Sequence, residues 1–79
     1  MTKKQIREFE DIAFQYMDFL YSHALQITSS IEKSEHIIQE TLARAFNKFR
    51  PEEIHDYQSW LVEIMEKICV KEEYLIAEV

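Results

Sequence analysis

The chain has 79 residues and not one glycine. Backbone positions that need a positive φ, or a close approach with no Cβ in the way, must then fall to residues that adopt them at a cost. P-loops, dinucleotide-binding fingerprints and tight type I′ hairpins are excluded together, because each places glycine where the chain turns or meets a phosphate. One proline, Pro51, interrupts the sequence. What remains suits helices joined by short polar turns. Hydrophobic residues make up 47% and charged residues 30%, which is the composition of a globular domain and not of a disordered segment. The length fits a single domain over residues 1–79, and a domain of this size buries only about 60% of the surface its unfolded chain exposes.

Hydrophobic spacing predicts three helices. In the first, from about Thr2 to Thr28, Ile6, Phe9, Ala13, Tyr16, Leu20, Ala24 and Ile27 recur at intervals of three and four, with Ile12 and Phe19 widening the stripe. Thr28, Ser29 and Ser30 break the pattern, because short hydroxyl side chains compete for backbone hydrogen bonds. Ser29 followed by Glu32 has the spacing of a capping box and predicts the start of a second helix running to Phe49. Its apolar face is Ile38, Thr41, Leu42, Ala45, Phe46 and Phe49; a different face carries Glu32, His36, Gln39, Glu40 and Ala43. Pro51 disfavours helix at Arg50 and ends this element. After an acidic loop, Asp56 is placed to cap a third helix containing Tyr57, Trp60, Leu61, Ile64, Ile68 and Leu75. The expected fold is all-α, a compact three-helix bundle.

Nothing in this pattern carries catalysis. His36 and Glu40 lie four apart and could both reach one ion, but two ligands without a third make a poor metal site. The sole cysteine, Cys69, stands between Ile68 and Val70 and reads as a buried thiol rather than a nucleophile. Glu52–Glu53 and Glu72–Glu73 lie in polar runs, where nothing would push two carboxyl pKa values apart. The chain is therefore not read as an enzyme, and no cofactor, metal or small-molecule substrate is expected. A lone cysteine with no signal peptide and no long apolar run predicts a soluble protein of a reducing cytoplasm, away from membranes.

Fifteen acidic residues against nine basic ones give a net charge of −6. Phosphate neutralisation supplies most non-specific affinity for nucleic acid, so this balance argues against tight DNA binding by the chain alone. The aromatic content, 13%, is high for so small a core. Phe9, Tyr16, Phe46 and Trp60 have core spacing. Tyr57 and Trp60, beside a loop, also offer faces on which unpaired bases could stack. Composition does not separate the two readings.

Three ordered segments resemble region 2 of the sigma-70 family, in the form found in extracytoplasmic-function sigma factors. The first runs from Phe9 through Tyr16 to the stretch Leu20-Tyr21-Ser22-His23-Ala24-Leu25-Gln26-Ile27-Thr28. The second, Ser34-Glu35-His36-Ile37-Ile38-Gln39-Glu40-Thr41-Leu42-Ala43-Arg44-Ala45-Phe46, is similar to region 2.2 with its Gln-Glu-Thr core. The third, Tyr57-Gln58-Ser59-Trp60-Leu61-Val62-Glu63-Ile64, looks like the aromatic-x-x-Trp-Leu-x-x-Ile stretch of regions 2.3 and 2.4.

The resemblance implies a role in transcription initiation. In the family, region 2.2 docks on the clamp-helix coiled coil of the RNA polymerase β′ subunit, and the matching residues here are Glu35, His36, Gln39, Glu40 and Ala43. The separate polar face read from helical spacing suits such docking, with Glu40 available to an arginine. Where the family usually has aspartate this chain has His36, so part of the contact is expected to be weaker or to respond to pH.

Regions 2.3 and 2.4 in the family melt the promoter −10 element and hold flipped bases. Tyr57 and Trp60 match the aromatic positions, with Lys48 and Arg50 beside them as backbone contacts. Glu63, however, stands where arginine is common, and from Asp56 onward two basic residues face six acidic ones. That local charge repels phosphates within about a Debye length of 8–10 Å. Contact with promoter DNA is accordingly expected only within the holoenzyme.

The family normally carries a region 4 helix-turn-helix, and these residues hold none. The expectation is therefore an arrangement like that of split sigma factors, in which a region-2-like co-sigma works with a separate region-4-bearing sigma subunit. Glu63 and Glu66, with Glu72 and Glu73, form an acidic surface that could meet a basic partner. Two competitors stand beside this reading: an inhibitory decoy that occupies the β′ clamp, and a helical interaction module with no polymerase role.

Overall fold

A computed structural model describes residues 2–71. Three α-helices, α1 (Lys3–Thr28), α2 (Ile31–Asn47) and α3 (Tyr57–Lys71), follow in order, with one short 3-10 turn at Pro51–Glu53 between the last two. The all-α three-helix fold is as the spacing predicts. Leu75, Glu72 and Glu73 lie outside the described residues.

Each helix start has a chemical cause. Thr2 and Gln5 form a capping box at α1: the Thr2 hydroxyl accepts from the Gln5 N–H at 3.1 Å, and the Gln5 side chain accepts from the Thr2 N–H at 3.0 Å. At the next junction the two serines divide the work differently from the sequence reading. Ser29 does not cap α2. It ends α1 in the left-handed region, φ 55° and ψ 28°, its N–H donating to the Leu25 carbonyl. Ser30 is the N-cap of α2, accepting from the Lys33 N–H at 3.2 Å, so the expected box between Ser29 and Glu32 is not formed. A helix terminus wants glycine at the left-handed position, and in a chain without glycine a serine takes it.

The same junction is tied down by hydroxyls. Thr28 Oγ1 donates toward the Ala24 and Ser30 carbonyls, accepts from the Ser30 N–H at 3.2 Å, and lies 2.9 Å from Ser34 Oγ. Ser34 is fully buried in α2, so this contact joins α1 and α2 where they turn back on each other. Helix α2 stops at Asn47, two residues before the expected Phe49, and the Lys48 N–H closes the last turn onto the Arg44 and Ala45 carbonyls. Phe49 is nevertheless buried, because the chain bends it back under the helices before Pro51 opens the 3-10 turn. Asp56 caps α3 as expected: its carboxylate accepts from the backbone N–H groups of Gln58 and Ser59 and from the Ser59 hydroxyl at 2.9 Å. These donors, the Ser59 hydroxyl first, hold the Asp56 carboxyl below the usual carboxylate range.

The core is drawn from all three helices: Phe9, Leu20 and Ala24 of α1, Ile37, Ile38, Thr41 and Ala45 of α2, and Leu61, Ile64, Met65, Ile68 and Cys69 of α3 are buried. Cys69 is buried as the sequence implies. Phe19 is a correction. Expected to widen the α1 core stripe, it sits one position from Leu20 at the edge of that stripe and is 36% exposed. Helix α2 packs along both neighbours, whereas α1 and α3 touch each other far less. That sparse contact leaves a cleft between α1 and α3, and a shallow groove also runs between α1 and α2.

Candidate functional site

The polar residues of α2 form one surface. Glu35, His36, Gln39 and Ala43 are exposed and Glu40 is half-exposed, all on the side opposite Ile37, Thr41 and Ala45. His36 Nε2 lies 3.8 Å from Glu40 Oε2, one helical turn along. The other Glu40 oxygen, Oε1, is shielded from solvent and has no hydrogen-bond partner among the described residues. A carboxylate with one oxygen shielded and unsatisfied is primed for an incoming guanidinium, which satisfies both oxygens in one planar contact.

Two residues of this surface were missed in the sequence. Met17 and Tyr21 of α1 line a shallow groove together with Glu35, Ile38 and Gln39 of α2. The face therefore has an apolar margin as well as a polar ridge. Met17 and Tyr21 are four apart on α1 and flank the core stripe. Their spacing was visible, but their position beside Glu35 required knowing how α1 lies on α2.

At the other end of the bundle the aromatic rings form a continuous cluster. Phe9 meets Phe46 and Phe49 edge to face at 5.3 Å each, and Phe49 in turn contacts Tyr57 at 6.4 Å and Trp60 at 6.2 Å. Tyr57 and Trp60 meet edge to face at 6.4 Å. Both are half-buried against the core, so core packing accounts for one side of each ring. Lys48 and Arg50 are exposed on the segment between α2 and α3.

The third set, Glu63 and Glu66, is exposed on α3 and lines the cleft toward α1. Among the described residues no group of three or more His, Cys, Asp or Glu side chains is arranged to hold a metal ion. No described helix is long and apolar enough to cross a membrane.

The α2 face, every ring of the aromatic cluster but Phe9, and the greater part of the three helices fall within one stretch of known kind: residues 13–72 match the family model for Sigma-70 region 2. The chain belongs to the sigma-70 region 2 family. Membership assigns it a sigma-factor-like role in transcription, with association to the RNA polymerase core, in a domain type that works without catalysis of its own. No curated protein and no solved structure matches the chain. The matched stretch includes the whole of α2 and α3 and α1 from Ala13 onward, so of the residues forming the α2 ridge, its groove, the ring cluster and the α3 cleft only Phe9 lies outside it.

Proposed function

We propose that this chain is a co-sigma subunit of the extracytoplasmic-function type. It docks on the β′ clamp helices through Glu35, His36, Gln39, Glu40 and Ala43, and it acts with a separate region-4-bearing sigma subunit to activate specific promoters. The observation that carries the docking half is the shielded, unsatisfied oxygen of Glu40 at the centre of an otherwise exposed polar ridge. A buried acceptor left unsatisfied costs about 1–3 kcal/mol, which an arginine from a coiled coil would recover on contact. Met17, Tyr21 and Ile38 give that contact an apolar margin. Promoter contact in this reading is made within the holoenzyme by Lys48, Arg50 and the open sides of Tyr57 and Trp60. The acidic α3 surface supports dependence on a second subunit, because it opposes unaided approach to phosphates.

A second reading, the inhibitory decoy, is favoured by that same acidic helix and by the packing of Tyr57 and Trp60 against Phe49. The decisive experiment is a pull-down from cells with tagged wild-type chain and Glu40→Lys, paired with promoter profiling on overexpression. The co-sigma reading expects β′ with the wild type, its loss with Glu40→Lys at unchanged helicity, and increased transcription from particular promoters. Retention of β′ by Glu40→Lys refutes the docking assignment, and transcription that only falls establishes the decoy.

A further inference from the structure

The cleft between α1 and α3 is lined on the α1 side by Phe19 and His23 and on the α3 side by Ser59, Val62, Glu63 and Glu66. Its apolar part is the Phe19 ring, stacked nearly parallel on His23 at 6.0 Å, together with Val62. Its rim is anionic. Ser59, Glu63 and Glu66 follow one another at intervals of four and three along α3 and line the cleft. Asp56, the cap that precedes α3, stands three positions before Ser59, so the carboxylates extend over about 15 Å. Asp56 is tied to this row through its 2.9 Å bond to the Ser59 hydroxyl.

No lysine or arginine lines the cleft among the described residues. The facing helix adds no cation either: from Glu8 to Thr28, α1 contains four acidic residues and neither lysine nor arginine. One polar atom at the cleft is also left open. His23 Nε2 is shielded from solvent without a hydrogen bond, and Glu66 Oε2 stands 3.7 Å from it, too far for one.

We infer that this cleft takes a cationic amphipathic helix from a second protein. Its aliphatic side chains seat on Phe19 and Val62, and its lysines or arginines, repeating every three or four residues, meet Glu63, Glu66 and Asp56. Helix in groove is a common recognition mode, and here the spacing of the carboxylates sets the spacing of the cations. The apolar ledge is what separates this from a merely acidic surface: a helix with the same charges and no apolar face would leave Phe19 exposed. This deepens the co-sigma reading by naming the chemistry of the partner, and it uses a surface distinct from the α2 ridge.

The test uses the full chain and two synthetic peptides of identical Leu, Ala and Lys composition, one patterned as an amphipathic helix and one scrambled. Binding is followed by fluorescence anisotropy, and the contact is mapped by NMR on the Val62 methyls and the Phe19 ring. The amphipathic peptide should bind and shift those signals. Its affinity should fall by about tenfold in Glu63→Gln/Glu66→Gln, and by a similar factor in Phe19→Ala. Both variants replace exposed side chains, and circular dichroism checks that they stay folded.

Equal binding of the scrambled peptide, unchanged affinity in Glu63→Gln/Glu66→Gln, or shifts confined to the α2 face would each overturn the inference. Glu40→Lys keeps the two proposals apart. It should lose polymerase and keep the peptide, so failure of peptide binding with polymerase retained by the wild type sinks the cleft alone, and the converse sinks the docking reading alone.

Discussion

Phe49 is the residue on which the ring cluster depends, and its replacement gives the sharpest test of how the α2–α3 connection is held. Only 6% of it is exposed, and it contacts three other rings: Phe9 at 5.3 Å with planes 71° apart, Trp60 at 6.2 Å and Tyr57 at 6.4 Å. Truncation to alanine removes the buried ring and leaves a cavity, at a cost of about 3–5 kcal/mol. A chain of 79 residues has a total stability of roughly 4–12 kcal/mol at typical values per residue, so Phe49→Ala should forfeit about a quarter of it or more, and unfold the domain outright only where the total lies at the low end.

Phe49→Leu is the more informative change, because it keeps most of the apolar mass and discards the ring geometry. The edge-to-face pair with Phe9 contributes about 0.5–1.5 kcal/mol beyond area burial, and the two tilted pairs, being longer, lie at the low end of that range. Phe49→Leu should therefore cost about 1.5–2.5 kcal/mol, and for a domain this small each kcal/mol lowers Tm by about 4–8 °C. Urea unfolding followed by Trp60 fluorescence and by helicity gives the measurement. A double-mutant cycle of Phe9→Leu with Phe49→Leu isolates the pair, with an expected coupling of about 0.5–1.5 kcal/mol. Additivity within about 0.3–0.5 kcal/mol would refute the reasoning, since it would mean the rings are merely neighbours in an apolar volume.

Thr28→Val should cost about 1–3 kcal/mol in chemical denaturation, because it keeps the shape but leaves the buried Ser34 hydroxyl without its 2.9 Å partner. Ser29→Gly should raise the unfolding free energy by about 1 kcal/mol, by relieving a side chain held at φ 55°. Asp56→Ala should fray the start of α3, read as faster amide exchange at Gln58 and Ser59. The wild-type cap has its own pH signature. The folded-state pKa of Asp56 is lowered, so its contribution is fully present above the unfolded carboxylate value and is lost as pH falls through the folded one; Asp56→Ala should flatten that acid-side decline.

Periodicity alone located all three helices, most of the buried face of each and the exposed ridge of α2, because a helix that must bury one side writes that side at intervals of three and four. The errors fall where a second element decides. Ser29 and Glu32 satisfy the spacing of a capping box, yet the terminus of α1 needed a left-handed residue first and took Ser29, passing the cap to Ser30. Phe19 has helical spacing from the core stripe but lies at its margin, and whether a marginal ring is covered depends on how closely α1 and α3 approach. Phe49 was expected inside α2 and is instead buried beyond its end, a position that local pattern describes poorly. The groove of Met17, Tyr21 and Ile38 belongs to two helices at once and has no signature in either.

Cys69, fully buried among the core side chains of α3, also makes the molecule its own timekeeper. A thiol reagent reacts only with exposed thiolate, so modification of the native protein must wait for the second half of α3 to lift from the bundle. With a single cysteine in the sequence, the labelling rate has one origin and needs no deconvolution. Measured with reagent in excess it gives the frequency of opening, and with reagent scarce it gives the fraction of molecules open. Comparing those two numbers with and without polymerase would show whether assembly clamps α3 in place or leaves it breathing.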